Sequence, residues 1–275
     1  MTEIVTYFES IPSLHRALLI AGGITFFWII ETIHPFIRFN YKKWQHARIN
    51  IFFTITTIVV NFCMAFLLVK TVQFTTTNHF GFLHWIAIDN FWVFTIVGLL
   101  LLDFFGAYLV HLIEHKVKFL WRFHLIHHTD TFIDTTTANR HHPGESVLRF
   151  LFTTIGVLIV GCPIWLVFMY QFLSVLLSQF NHANVVLPKR LDYYLSYFIV
   201  TPDMHKVHHH YVLPYTDSNY GNIFSVWDRI FNTFRTLDRS QLVYGIDTHM
   251  KPDENNKLDN LLQIPFQKHR SPTIE

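Results

Sequence analysis

The stretch HLIEHKVKFLWRFHLIHH, residues 111–128, decides how the rest of this chain is read, because five of its eighteen positions are histidine. On a helix, side chains three and four positions apart share a face, with Cβ atoms about 5–6 Å apart. His111 and His115 would therefore aim their rings at one point, and His124, His127 and His128 would do so again further along. Downstream, TPDMHKVHHHY repeats the second spacing with His205, His208 and His209. Neutral imidazole is the commonest metal ligand among side chains and suits zinc, copper, iron and nickel. A lone histidine against an apolar background is more often a satisfied core residue than a ligand. Three clusters at ligand spacing are different, because neighbouring uncoordinated imidazoles oppose each other's protonation and leave several polar nitrogens to satisfy. The pattern points to two or more transition metals in one shared site.

Composition sets the surroundings of that site. The 275 residues are 51% hydrophobic, 17% aromatic and 15% charged, with 29 phenylalanines, which is too apolar for an ordinary soluble domain. The formal net charge of +2 reflects a near balance without a basic patch, so no nucleic-acid partner is expected. Cys63 and Cys162 lie in separate apolar runs and read as small buried hydrophobes, not as a disulfide. The N-terminal MTEIVTYFESIPSLHR is acidic and amphipathic and lacks the basic region and cleavage site of a signal peptide, so it is expected to be retained.

Apolar runs at 17–33 and 49–69 read as membrane helices, and a third, from about Asp89 to Val110, runs straight into His111. Residues 147–180, interrupted by Gly161, Cys162 and Pro163, read as a hairpin of two helices. His182 follows in QFNHAN, where the second arm leaves the membrane. Glu31 is expected in the headgroup zone, and His79 and His84 on the surface. Asp103 stands eight residues before His111 on the same helical face, either bonded to a ligand ring or serving as a structural acid. Lysine and arginine concentrate at 38–48, 116–149 and beyond 188 and are missing from 71–85, which puts all three histidine clusters on the cytoplasmic face. The expectation is an all-α integral membrane protein with about four transmembrane helices and a cytoplasmic histidine-rich helical cap. It divides into N-terminal membrane helices (1–100), a catalytic region with the hairpin (101–236) and a polar C-terminal tail (237–275) in which the residues from Pro252 contribute little.

The series HLIEH at 111, LWRFHLIHHTD at 120, TTANRHHPGE at 136, NHAN at 181, TPDMHKVHHH at 201 and DSNYGNIFSVWDRIFNTF at 217 resembles the fatty acid hydroxylase and sterol desaturase superfamily. The nearest likeness is to its bacterial sterol-desaturase-like branch and, more distantly, to alkylglycerol monooxygenase, which implies a bacterial inner membrane. The resemblance implies a pair of iron ions that activate O2, as co-substrate, against a C–H bond of a fatty acyl, sterol-like or ether lipid, by hydroxylation or desaturation. It implies ligands at His111, His115, His124, His127, His128, His205, His208 and His209, with His182 the ninth. Where some members carry a further histidine four residues on, this chain has Val186, and His210 is an extra. His142, Asp103, Asn181, Asp217 and Asn219 are candidates to bind metal or to hold a ligand. Zinc, which ranks above Fe(II) at nitrogen sites, could replace iron in purified protein. No GxGxxG, CxxCH or iron–sulfur cysteine set occurs, so electrons are expected from an external donor, a ferredoxin or cytochrome b5-like protein. The rival reading is a membrane metal transporter or metal-binding protein, which should hold polar ligands near the bilayer midplane, where these spans have almost none.

Overall fold

In lipid an unpaired backbone amide is too costly for any local structure but a helix or a closed barrel, and the apolar runs of this chain all become helices. The structure, a computed structural model, describes residues 2–271, and among these there is no strand, only three isolated bridge pairs. A short α1 (Thr2–Glu9) leads into α2 (Ser13–Ile33) and the long α3 (Lys43–Thr77). Then come α4 (Phe91–Lys116), α5 (Lys118–His128), and the hairpin α6 (Pro143–Val160) and α7 (Ile164–His182). Shorter helices follow: α8 (Lys189–Leu195), α9 (Pro202–His208), α10 (Val226–Ile230) and α11 (Leu258–Gln263). Five helices, α2, α3, α4, α6 and α7, are long and apolar enough to cross a membrane. That is one more than the sequence suggested, because each arm of the hairpin qualifies separately. The protein is an integral membrane protein.

The far end of the bundle is fixed by two glycines. Gly161 ends α6 at φ +69° and Gly81, in the α3–α4 connection, has φ +111°; a Cβ on Gly81 would stand 2.5 Å from the Gly161 Cα. Only glycine permits both conformations and this approach. The hairpin tip therefore reaches the α3–α4 connection, and its arms run as deep as α3 and α4. The histidine-bearing ends, the C-termini of α4 and α7 and the connections beside them, gather at the opposite end. Leu68, Val72, Leu99, Leu102, Val157 and Leu166 pack the interior of the bundle, while outward side chains such as Phe62 and Phe66 of α3 remain exposed, as lipid contact requires. Cys162 is buried, whereas Cys63 faces outward.

Two breaks in α4 and α5 turn a sequence pattern into a site. Within α4, Phe104–Tyr108 form a π-helical turn, and such a turn rotates everything after it relative to an unbroken α-helix. Then Val117 leaves the helical region (φ −99°, ψ 108°) and α5 folds back beside α4. At 35 residues α3 is about 52 Å long, against a hydrocarbon core of about 30 Å, so it overshoots the membrane. Its N-terminal turns enter the histidine cap, where His46 Nε2 donates to Asp130 Oδ2 at 2.8 Å and Asn50 Nδ2 to Thr136 Oγ1 at 2.9 Å.

Two expectations need correcting here. Glu31, expected among the headgroups, is not open to them: it is buried, accepts from the backbone amides of Thr135 (3.1 Å) and Asn184 (3.0 Å), and pairs with Lys43 at 3.2 Å. Those donors tie α2 to the cap, which compensates the burial of the charge. Nor is the segment from Pro252 idle as far as Ser271; residues 272–275 of the expected tail lie outside the described residues. Leu261 and Ile264 bury against Phe53, Leu125 and Ile126, and the carbonyl of Asn255 accepts from the buried Arg140 at 2.8 Å. Apolar residues spaced along a polar stretch supply the anchor.

Candidate metal centre

The nine histidines gather in two adjoining groups. His111, His115, His124, His128 and His208 form one, His127, His182, His205 and His209 the other, and within each group the candidate ligand atoms lie within 4.8 Å of one another. The His128 and His209 ring centroids, one from each group, are 4.9 Å apart. Helix α5 sends the i,i+4 pair His124 and His128 to the first group and His127 to the second. The same spacing at α9 works in reverse, with His205 and His209 in the second group and His208 in the first. The i,i+4 pair His111 and His115 at the end of α4 and the last residue of α7, His182, complete the set.

Nitrogens face nitrogens across these groups. His111 Nε2 is 3.1 Å from His124 Nε2; His182 Nε2 is 3.1 Å from His127 Nε2 and 3.0 Å from His205 Nε2; His209 Nε2 is 3.3 Å from His205 Nε2. Two donors each about 2.1 Å from a shared metal, at 90–105°, are separated by about 3.0–3.3 Å. His115 Nε2, His208 Nε2 and both nitrogens of His128 are buried without a hydrogen-bond partner among the described residues. Orphaned acceptors at this density are expensive unless a cation takes their lone pairs. The donor set is all imidazole, which suits a first-row transition metal and not calcium or magnesium.

The outer nitrogens are held in turn, which fixes ring orientation. His111 Nδ1 donates to the Tyr220 carbonyl (2.9 Å), His208 Nδ1 to the Ser218 carbonyl (2.7 Å), His115 Nδ1 to Asp217 Oδ1 (3.1 Å) and His124 Nδ1 to Glu145 Oε1 (2.7 Å). In the second group His182 Nδ1 donates to the Ser178 carbonyl at 2.7 Å, whereas Nδ1 of His127, His205 and His209 has no partner among the described residues. Glu145 Oε1 also receives His141 Nδ1 at 2.7 Å and Arg149 Nε at 2.9 Å, and Arg149 pairs with Glu114 as well.

Burial, and after it the neighbouring rings, holds His124, His127, His128, His205, His208 and His209 well below the ordinary histidine range, so these rings are neutral with lone pairs free. Burial would raise the Asp217 carboxyl, but hydrogen bonds and charge from His115 and Lys116 outweigh it and bring it down to about 2. Likewise burial opposes ionisation of Asp130, yet His46 and Arg140 keep it well below the usual carboxylate range.

Of the five supporting candidates, Asp217 reaches a ring, His115, and the others do not. Asp103 accepts from the Ile223 and Phe224 amides (3.2 and 3.1 Å) and from Trp227 Nε1 (3.2 Å). It acts at one remove, anchoring the segment whose Tyr220 carbonyl holds His111. Asn181 donates to the Asn222 carbonyl at 2.8 Å. Asn219, in the left-handed region at φ +50°, donates to the carbonyls of Met204 and Arg235. His142 caps α6, its Nδ1 accepting from the Gly144 amide at 2.9 Å, and its Nε2 donates to the Leu262 carbonyl at 3.3 Å. His210 stands outside both groups and accepts from the Val243 amide. Glu114, His141, Glu145 and Arg149 escaped the reading of the sequence. Their signal was there, in opposite charges at an i,i+4 spacing in an apolar helix and an acid between two clustered histidines.

A sequence profile described as fatty acid hydroxylase matches residues 95–233, half of the chain. Ornithine lipid hydroxylase OlsE of Rhizobium tropici is 28% identical over 145 residues, 52% of this chain and 42% of that protein. Alkylglycerol monooxygenase of Danio rerio is 28% identical over 210 residues (74% and 44%), and that of Homo sapiens 30% identical over 145 residues (53% and 31%). The chain thus spans less than half the length of each of these relatives. No solved structure matches it. The profile runs through every segment that carries one of the nine clustered histidines, and the chain belongs to the fatty acid hydroxylase family.

Proposed function

We propose that this protein is an O2-dependent lipid oxygenase that holds two iron ions in the two histidine groups and hydroxylates a C–H bond of a membrane lipid. One observation carries the reading: nine imidazoles from four separate helical segments form two adjoining, buried, all-nitrogen groups at one end of a membrane bundle. When bound, the metal pair supplies O2 activation. The chain's own residues do the rest. Burial keeps the rings neutral, and carbonyls and carboxylates behind Nδ1 aim Nε2 inward at His111, His115, His124 and His208. Membership of the family and the activities for which its relatives are named, a lipid hydroxylase and monooxygenases, favour hydroxylation over desaturation. Substrate class rests on the names of the same relatives: a polar lipid with a long chain. The bacterial inner membrane follows the resemblance stated above, the cytoplasmic site the lysine and arginine bias of the connecting segments, and the external electron carrier the lack of a redox motif in the chain.

A metal transporter would need its ligands midway along the spans, and here they sit at helix ends. The test is product analysis with labelled dioxygen on iron-loaded protein in lipid, with reductant supplied. Incorporation of one labelled oxygen atom into a lipid is expected; no oxygen-dependent change in any lipid offered would sink the reading. Iron and zinc are to be quantified on the same sample, since zinc outcompetes Fe(II) at such sites.

A further inference from the structure

An oxygenase needs electrons from outside, and a docking site for their source presupposes the oxygenase function just proposed. We propose that the surface cleft between α5 and the C-terminal segment is the docking site of an acidic one-electron carrier protein, with Trp121 as the contact between that carrier and the histidine centre.

Trp121 has two sides. One meets the first histidine group, with ring centroids 4.7 Å from His115 and 5.3 Å from His128. The other lines a surface cleft with Arg122, Lys268, His269 and Arg270. No aspartate or glutamate lines that cleft among the described residues. Glu254 partly neutralises Arg270 at 2.8 Å, and Arg122 donates to the Gln267 carbonyl. Lys118, exposed one turn before Arg122, adds to the same face of α5. A basic rim around a half-buried aromatic ring suits an acidic protein surface, since complementary charge steers encounter. The cleft itself holds only about 20 Å³, room for roughly one water, which excludes a nicotinamide or flavin as occupant. What docks there must be a surface, not a small molecule.

The electron balance fits a carrier. Converting C–H to C–OH with O2 consumes two electrons and two protons from outside and releases one water. The carrier gives up one electron per encounter and is oxidised in each of two encounters. Electron transfer weakens steeply with distance through saturated groups, so an indole in contact with two ligand rings shortens the gap to the surface.

The experiment uses the full chain in detergent with two acidic probes, the soluble domain of cytochrome b5 and a plant-type [2Fe–2S] ferredoxin. Binding is measured on protein with and without metal, against salt. Lys268→Glu and Lys118→Glu are expected to weaken binding of at least one probe by about tenfold at low ionic strength, the difference fading as salt rises. Trp121→Leu should bind the probe but slow oxidation of the reduced carrier in stopped flow, with Trp121→Phe intermediate, at unchanged metal content. Dithionite-driven incorporation of labelled oxygen provides the reference. If dithionite yields labelled lipid but both charge reversals bind both probes as wild type does, this proposal falls and the oxygenase reading stands. Carrier oxidation indifferent to Trp121→Leu would remove the tryptophan's part in it. No labelled lipid with dithionite or either probe would remove both readings together.

Discussion

His127 and His208 hold the same place in two copies of one spacing and serve opposite groups: His127 joins the group of His182, His205 and His209, and His208 joins that of His111, His115, His124 and His128. Helices α5 and α9 thus cross-link the two halves of the site, each giving a pair to one and a single ring to the other. Removing one of these rings should unbalance the halves differently. His208→Ala is expected to weaken the five-membered group and His127→Ala the four-membered one, so each variant should retain close to half of the wild-type metal. Elemental analysis against protein concentration reads this directly. Equal and complete loss in both variants would mean that the groups bind as one unit.

Glu145 is expected to matter almost as much as a ligand. Its Oε1 takes Nδ1 of His124 at 2.7 Å, and Arg149 and His141 share the same oxygen. Carboxylates behind a ligating imidazole raise its basicity and fix its tautomer, and their loss typically costs 10–100-fold in metal affinity or activity. Glu145→Gln keeps the shape and removes the charge, so a metal affinity about 10–100-fold weaker is predicted, measured by competition with a chelator. Unchanged affinity would mean that Arg149 and Glu114 alone orient this side of the site.

Much of this was legible because imidazoles three and four apart on a helix must share a face, and because hydrophobic length marks a span. The partition of each HxxHH between two groups was not, since it depends on how α5 folds back at Val117 and where α9 meets it. Asp103 illustrates the limit. Counting residues puts it under His111, but its oxygens are taken by the Ile223 and Phe224 amides and by Trp227 Nε1, partners far along the chain. Glu31 and the C-terminal segment were misjudged for a common reason: their partners, Thr135, Asn184 and Arg140, are distant in sequence and invisible to any local pattern.

Asp103 accepts three buried donors, and its removal should be felt as stability. Asp103→Ala leaves the Ile223 and Phe224 amides and Trp227 Nε1 without their acceptor, at about 1–3 kcal/mol for each donor left buried and unpaired. A lowered thermal midpoint in detergent is predicted, accompanied by weaker metal binding because the Tyr220 carbonyl loses its footing behind His111. Asp103→Asn, which can still accept, should fall between. A variant as stable as wild type would show that the 220–227 segment is held by other contacts.

Acid should weaken the C-terminal anchor through His249. Burial, with Arg270 adding to it, brings this ring down to about 4, against about 6.5 when unfolded. Between those values the unfolded chain binds a proton that the folded chain refuses. The contribution of His249 is therefore complete above pH 6.5 and is lost as pH falls toward 4. His249→Gln cannot titrate, so its thermal midpoint should decline less steeply than that of wild type over this window. Parallel curves would place the acid sensitivity elsewhere.

Metal removal should have the largest effect of all. Without a cation, buried nitrogens on His115, His128 and His208 have no hydrogen-bond partner among the described residues, a cost the fold meets only when lone pairs are taken up. Any metal that binds the folded chain and not the unfolded one stabilises it by mass action, by about 4 kcal/mol when free metal exceeds its dissociation constant a thousandfold. Chelation is expected to lower the thermal midpoint and to expose α5 and α9 to amide hydrogen exchange, while the far end of the bundle, locked at Gly81 and Gly161, stays protected. Restoring Fe(II) without oxygen should reverse both changes, and zinc should do so at least as well, given its higher affinity for nitrogen donors. If stripped and loaded protein melt together and exchange alike, the nine rings are satisfied without metal and the chemistry proposed for them has no foundation.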